Sequence, residues 1–373
     1  MRGGVWLVLH LDAKKRGSME QQLVALARQL GQEGTPATMV FSAQPAPFPG
    51  RELRAAGVDV RALDFAHPAR AAARLAVWLA VDRPELVHFH FIDPYSRYVR
   101  LARLSGARVL VHDHLCPAPG SGLRGALKRA RGAVLNPFVD VRVAVSRYAA
   151  DAVARAHAVP PARIEVLENG IDLTRFRGVD GTRVRRELGV GEHPLIVCVA
   201  RLDSEKGGET LLRAMPFVEG GAHLAFAGEG PLLSEWKELV AALGVAGRVH
   251  FVGLRNDIEQ LMAASSAVVV PSEYEEAFGL AVVEGMASAR PVVVTRSGAM
   301  PELVGEAGLV VEKRDPRGLA AALNRLLGDG ALATRLGSVA RARAEERFGM
   351  ERFVLRTLGL YQRVRGIPAL RAA

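Results

Sequence analysis

Apolar positions along the chain fall into two periods. Short runs rich in Val, Ile and Leu predict buried strands at residues 5–9, 37–41, 85–91, 108–112, 141–145 and 164–167. A second series follows at 195–200, 224–227, 249–252, 267–270 and 291–295. Between them the spacing turns helical. Leu23, Leu26 and Leu30 mark a helix over 19–30, and another begins near Glu209. Strands alternating with helices predict parallel sheets covered by helices on both faces, an α/β class.

Residues 173–193 interrupt the alternation with charge and glycine, and read as a linker leading into a short helix. The expected domains are therefore 1–178 and 179–350. A terminal helix over 351–373 is expected to pack back toward the first domain. Two doubly wound, Rossmann-like domains would leave a cleft outside the carboxyl ends of their strands, where such sheets take ligands.

Composition agrees with this plan. The 373 residues are 49% hydrophobic and 24% charged, enough for two cores. No uncharged apolar run reaches the roughly 18 residues of a transmembrane helix, and the apolar run 5–9 is short for a signal peptide. Cys116 and Cys198 are the only cysteines, which suggests a reducing cytoplasm. The net charge of +10 is uneven: residues 1–180 hold 25 Lys/Arg against 16 Asp/Glu, leaving +9, and the remainder 24 against 23, leaving +1. A basic half can meet nucleic acid, an acidic membrane surface or an anionic substrate. With 6% aromatics there is no evident stacking platform for nucleic acid.

The stretch SEYEEAFGLAVVEGMASARPVVVT, residues 272–295, carries the most chemistry. Glu276 belongs to a loop after the strand at 267–270, and Glu284 lies inside a helix starting near Phe278. The N–H groups of Phe278, Gly279 and Leu280 at that helix start offer an anion site, and Gly279 permits close approach. Acidic residues at a helix start also have an ordinary dipole explanation. That explanation serves Glu284 less well, since Val282, Val283 and Met286 surround it. A diphosphate flanked by two polyhydroxyl groups, a nucleotide sugar, fits the layout.

This pattern, Glu276-AFGLAVV-Glu284 followed by GMASARPVVVT and Pro301-Glu302, resembles glycosyltransferase family 4, which has the two-domain GT-B fold. The resemblance covers most of the chain and is most specific over 195–312. It implies that Glu284 binds the ribose, Glu276 contacts the donor sugar, and the backbone at 278–280 holds the diphosphate. In VARLDSEKG, residues 199–207, it places Arg201 and Lys206 on the same diphosphate, a fork and a point charge that make a divalent metal unnecessary. Read alone, the pair is equally a solvated basic loop. Gly17, before Ser18 where the family has paired glycines, would lie near the donor phosphate. His114 matches the family histidine at the reaction centre, with His112 the fallback. Gly228-Glu229-Gly230-Pro231 and Gly253 are turns facing the donor in the family, and Ser146 and Asn169–Asp172 match positions near the domain junction.

His88 and His90, and His112 and His114, alternate on two strands, with Asp113 and Cys116 nearby. Spacing alone leaves packed histidines and a zinc site both open, and the assignment is no metal. Residues 123–131, LRGALKRAR, form either an interfacial amphipathic helix or a surface helix that packs Leu123 and Leu127 inward.

The expected activity is a retaining glycosyltransferase that moves a hexosyl unit from a nucleotide diphosphate sugar to an acceptor hydroxyl. The setting would be cell-envelope, exopolysaccharide or glycolipid synthesis. Expected partners are the donor, a glycan or lipid-linked acceptor and an anionic membrane surface, without nucleic acid. The expected place is the cytoplasm, peripheral at the inner membrane face. The alternatives are a nucleotide-sugar epimerase of the same fold and a non-catalytic nucleotide-sugar-binding protein.

Overall fold

The computed structural model describes residues 3–14, 17–118 and 120–366; the end of the predicted 351–373 segment, from residue 367, lies outside them. The chain divides into two compact units, residues 1–170 with 350–373, and residues 171–349. The division falls at Gly170/Ile171, ahead of the 178/179 boundary expected from the sequence. Residues 171–178, given to the first domain by that boundary and from 173 read as linker, fold with the second unit. Ile171 pairs with Gly349 in a parallel bridge, and Arg175 bonds Glu259 at 2.7 Å.

The first unit holds strands β1 (Val5–Leu9), β2 (Ala37–Phe41), β3 (Asp59–Ala62), β4 (Leu86–His90), β5 (Arg108–Asp113), β6 (Val141–Ala144) and β7 (Ile164–Val166). They form a parallel sheet in the order β3-β2-β1-β4-β5-β6-β7. β1 shows why the pattern works. Val5, Leu7 and Leu9 pack into one core with Leu23, Leu26 and Leu30 of helix Ser18–Gln32, while Trp6 and Val8 pack into another with Leu75 and Leu79 of helix Pro68–Asp82. Both faces are covered, so every position in the strand is apolar. Helix Met350–Arg365 brings Phe353, Leu358 and Tyr361 into the first of these cores. Each such side chain, fully buried, stabilises by about 1.5–3 kcal/mol.

The second unit holds β8 (Leu195–Val199), β9 (His223–Ala227), β10 (Val249–Gly253), β11 (Ala267–Val270), β12 (Val292–Thr295) and β13 (Gly308–Val311), in the parallel order β10-β9-β8-β11-β12-β13. Its core joins Ile196 and Cys198 of β8 to Leu211, Phe226 and Trp236. Burial pushes the Cys198 thiol well above its ordinary range, so it behaves as a small apolar group.

Two strands, β3 and β13, were not expected from the sequence. Both are sheet edges and neither is fully buried. Asp59 and Arg61 break the apolar run in β3, and β13 follows directly on the turn Gly305–Ala307. A half-covered edge does not require the continuous apolar pattern of a central strand.

Candidate active site

In the second unit, β8 runs into the loop that carries Arg201 and Lys206. Asp203 organises this loop. Its carboxylate caps the short turn Ser204–Lys206 by accepting from the Lys206 N–H at 3.1 Å, and lies 2.6 Å from Arg201 Nη2. Gly207 follows at φ +64°, and a Cβ there would stand 1.9 Å from the Pro271 carbonyl oxygen, so only glycine fits. The loop is thereby pressed against the end of β11. Gly228 and Gly230 pack on the same loop, each with its Cβ position within 2.3 Å of the Ala200 or Leu202 carbonyl oxygen. This gives the GEGP turn a packing reason.

The loop after β11 carries three carboxylates, and each has its own partner. Glu273 accepts from Thr210 at 2.8 Å and from Arg314 at 2.6 Å. Glu275 accepts from the Gly298 N–H at 2.7 Å and from Lys313. Glu276 lies 2.6 Å from Lys206 Nζ, and its Oε1 also accepts from the Ser272 hydroxyl at 2.7 Å. The fold thus joins two residues that the sequence places 70 positions apart. Both are largely buried, whereas Arg201 is 71% exposed. The Tyr274 ring lies under the ammonium, 5.5 Å from Nζ to the centroid. Ser272, Asp203 and Tyr274 were not singled out in the sequence. The β11-to-loop position of Ser272 was the available clue.

Glu276 is held in place from behind by the chain after β12. The Ala299 N–H donates to its carbonyl at 2.8 Å. Gly298 sits at φ +54°, with room for no side chain against Glu276. The following helix is Leu280–Ala287, two residues later than the expected start near Phe278, with Gly279 as its N-cap. Phe278 belongs to the loop. Its ring is buried edge-on against Phe348, 5.8 Å between centroids, so only its backbone is presented. A Cβ on Gly279 would meet Met300 at 2.6 Å. The N–H groups of Phe278, Gly279 and Leu280 donate no hydrogen bond among the described residues. That is the usual state of a helix N-terminus and favours an anion. Glu284 lies half-buried within the helix.

The first unit holds Gly17 and His114, the other two residues singled out from the sequence. Gly17 is the N-cap of helix Ser18–Gln32, with extended backbone (φ −85°, ψ 170°) and no side-chain cap. His114 follows β5. Its Nε2 lies 3.0 Å from His90 Nδ1, and its ring stacks on Phe91 and His112 at 4.2 Å. Burial pushes His114 down to about 3, so the ring is neutral at ordinary pH. Asp113 is not part of this group. It forms a two-pronged pair with buried Arg142, at 2.9 Å and 2.5 Å.

Helix Gly122–Leu135 resolves one of the two readings of its segment. Leu123 and Leu127 do not pack inward: they are 76% and 60% exposed, with Val134 at 70%. The buried positions are Gly125 and Gly132. No described helix is long and apolar enough to cross a membrane.

Residues 193–329 match the family model described as Glycosyl transferases group 1, and residues 19–175 the one described as Glycosyltransferase Family 4. The chain is 32% identical over 276 residues to the GDP-mannose-dependent alpha-(1-6)-phosphatidylinositol monomannoside mannosyltransferase of Mycobacterium tuberculosis, covering 69% of this chain and 70% of the relative. It is 31% identical over 311 residues to the D-inositol 3-phosphate glycosyltransferase of Salinispora tropica, covering 76% of this chain and 60% of that protein. Among solved structures, Anabaena HepE in complex with UDP superposes with a TM-score of 0.82 at 22% identity, covering 97% of this chain and 100% of that one.

Proposed function

The chain belongs to the group 1, family 4 glycosyltransferases of GT-B fold, and from that premise we propose that it moves a hexosyl unit, with retention, from a nucleoside diphosphate sugar to an acceptor hydroxyl of an envelope glycan or glycolipid. The observation that carries the reading is the Lys206–Glu276 pair at 2.6 Å, two residues before the unbonded amides of Phe278–Leu280. A buried ammonium and a helix N-terminus at one loop suit a diphosphate, and the adjoining carboxylate suits the hydroxyls of the sugar it carries.

In this reading Arg201, Lys206 and the amides hold the diphosphate and stabilise the charge on the departing nucleotide. Glu284 accepts hydrogen bonds from the ribose. Glu276 contacts the donor sugar, and Gly17 and His114 act from the first unit. The acceptor oxygen bonds to the anomeric carbon on the face the phosphate leaves. The bond from that carbon to the phosphate oxygen breaks, and a phosphate oxygen takes the acceptor proton. The protein supplies positioning and charge.

The acceptor side follows from the first unit's helix. Its exposed leucines and basic residues suit an anionic lipid surface at the cytoplasmic membrane face, and the mycobacterial relative acts, by its name, on a phosphatidylinositol mannoside. Incubation with a panel of nucleotide sugars and lipid-linked acceptors, with and without Mg2+, tests the reading. One donor should release its nucleoside diphosphate and give product of unchanged anomeric configuration in either buffer. Inverted product, or turnover strictly dependent on Mg2+, would overturn the assigned chemistry.

A further inference from the structure

His88, His90 and His112 converge inside the first unit. His88 and His90 share one face of β4, and His90 pairs in register with His112 of β5. All three are buried, at 1%, 5% and 3% exposure. One ring nitrogen from each lies within 4.8 Å of the other two. His88 Nδ1 lies 2.8 Å from the Tyr361 hydroxyl and His90 Nδ1 3.0 Å from His114 Nε2. The remaining nitrogens, His88 Nε2, His90 Nε2 and both of His112, have no partner among the described residues. The rings line a small cavity whose other walls are the polar Gln22, Thr357 and Tyr361 together with apolar side chains such as Leu23, Leu26 and Phe353.

A neutral imidazole brings one donor and one acceptor. Leaving such a group buried and unpaired costs about 1–3 kcal/mol. Packing alone does not explain three histidines here, since leucine or phenylalanine would fill the same space without that cost. We propose that His88, His90 and His112 form a binding site for one divalent transition-metal ion of the zinc class, through Nε2 of His88, Nε2 of His90 and one ring nitrogen of His112. Zinc–imidazole bonds of about 2.0–2.1 Å place tetrahedral ligand nitrogens about 3.4 Å apart. Binding would draw the three nitrogens in from their present spacing of up to 4.8 Å. The outer partners fit. With Nδ1–H donated to Tyr361 and to His114, Nε2 of His88 and of His90 would be left with free lone pairs for the metal. Burial keeps the rings neutral: His88 is pushed down to about 3, and His90 and His112 well below the ordinary range. No carboxylate is in the set, so Mg2+ and Ca2+ are disfavoured. The site joins β4 to β5 and, through Tyr361, to helix Met350–Arg365.

The test uses the full chain, stripped with chelator and titrated with Co2+. One equivalent should bind, giving the visible d–d absorption of a tetrahedral site, and Zn2+ should displace it and raise Tm. His112→Gln should weaken binding at least tenfold. Tyr361→Phe, which keeps all three ligands, should weaken it about tenfold. His223→Gln should change nothing, although His223 belongs to another histidine pair, 2.9 Å from His250. Should His112→Gln fail to fold, the wild-type titration and Tyr361→Phe still decide. Absence of saturable one-equivalent binding to the wild type, or binding lost with His223→Gln and kept with Tyr361→Phe, overturns the proposal.

Discussion

The Lys206 ammonium lies 2.6 Å from Glu276, so an anion that binds this lysine competes with a carboxylate already there. This gives the two residues opposite signatures. If Lys206 holds the diphosphate, Lys206→Ala removes a charge-assisted contact and should weaken nucleoside diphosphate binding by about 1.5–3 kcal/mol. Glu276→Gln removes the competitor, so affinity for the nucleoside diphosphate should hold or rise while turnover of the intact donor falls. Calorimetry with the nucleotide and a turnover assay on both variants check the split; equal losses of affinity would mean the pair is only structural. Glu284 is a separate case. If it holds the ribose, Glu284→Gln should raise the nucleotide Kd severalfold and leave the ligand-free Tm nearly unchanged, whereas a packing residue would show the reverse. At this scale the sequence displayed the local pattern well. Glu276 and Glu284 stood out because the segment around them is apolar. The Lys206–Glu276 contact was hidden by the length of chain between them. So were the bonds from His88 to Tyr361 and from His90 to His114, because register and helix docking, not spacing, bring those rings together.

The central strands were the most legible elements. Strands covered on both faces, such as β1 and β8, appear as unbroken apolar runs. The edge β3, broken by Asp59 and Arg61, left no comparable trace, whereas the apolar run Leu309–Val311 of β13 was there to be read. Helix Gly122–Leu135 is the opposite failure: leucines four apart suggested an inward stripe, yet the contact is made by glycines. A Cβ on Gly132 would stand 2.0 Å from the His157 carbonyl oxygen, at the C-terminal end of helix Arg147–His157. Small residues here let two backbones approach, and the leucines are left outside. Gly132→Ala should therefore strain this contact and cost about 1–3 kcal/mol. The check is a urea midpoint lowered at unchanged m-value. Ala133→Ser, at an exposed neighbour on the same helix, should leave the midpoint in place.

Over the whole molecule the charge is unequally shared, with +9 in residues 1–180 and +1 in the rest. Much of the excess is already engaged. Arg142 pairs with Asp113, Arg61 with Asp82 at 2.7 Å, and Arg108 with Asp140 at 3.1 Å. On helix Gly122–Leu135 the engagement is partial. Arg131 reaches Asp93 at 3.4 Å and lies over the Tyr95 ring, and Lys128 donates to the Ala118 carbonyl at 2.8 Å. Arg124 and Arg129 have no acidic partner among the described residues. They stand on the same helix as the exposed Leu123, Leu127 and Val134, which fall within one stripe at 100° per residue. Basic residues near an anionic bilayer contribute about 1 kcal/mol each, over about one Debye length. A buried leucine adds up to about 1.5–3 kcal/mol. Together they would suffice for reversible attachment without a spanning helix. Sedimentation with vesicles separates the two contributions. Binding should require anionic lipid and fall with salt. Arg124→Ser with Arg129→Ser should remove most of the salt-sensitive part, more than Lys128→Ser with Arg131→Ser, whose side chains already have partners. Leu123→Ser with Leu127→Ser should weaken binding at every salt concentration. Equal sedimentation with neutral vesicles, or none with acidic ones, would return the helix to an ordinary surface and leave the basic excess to the acceptor itself.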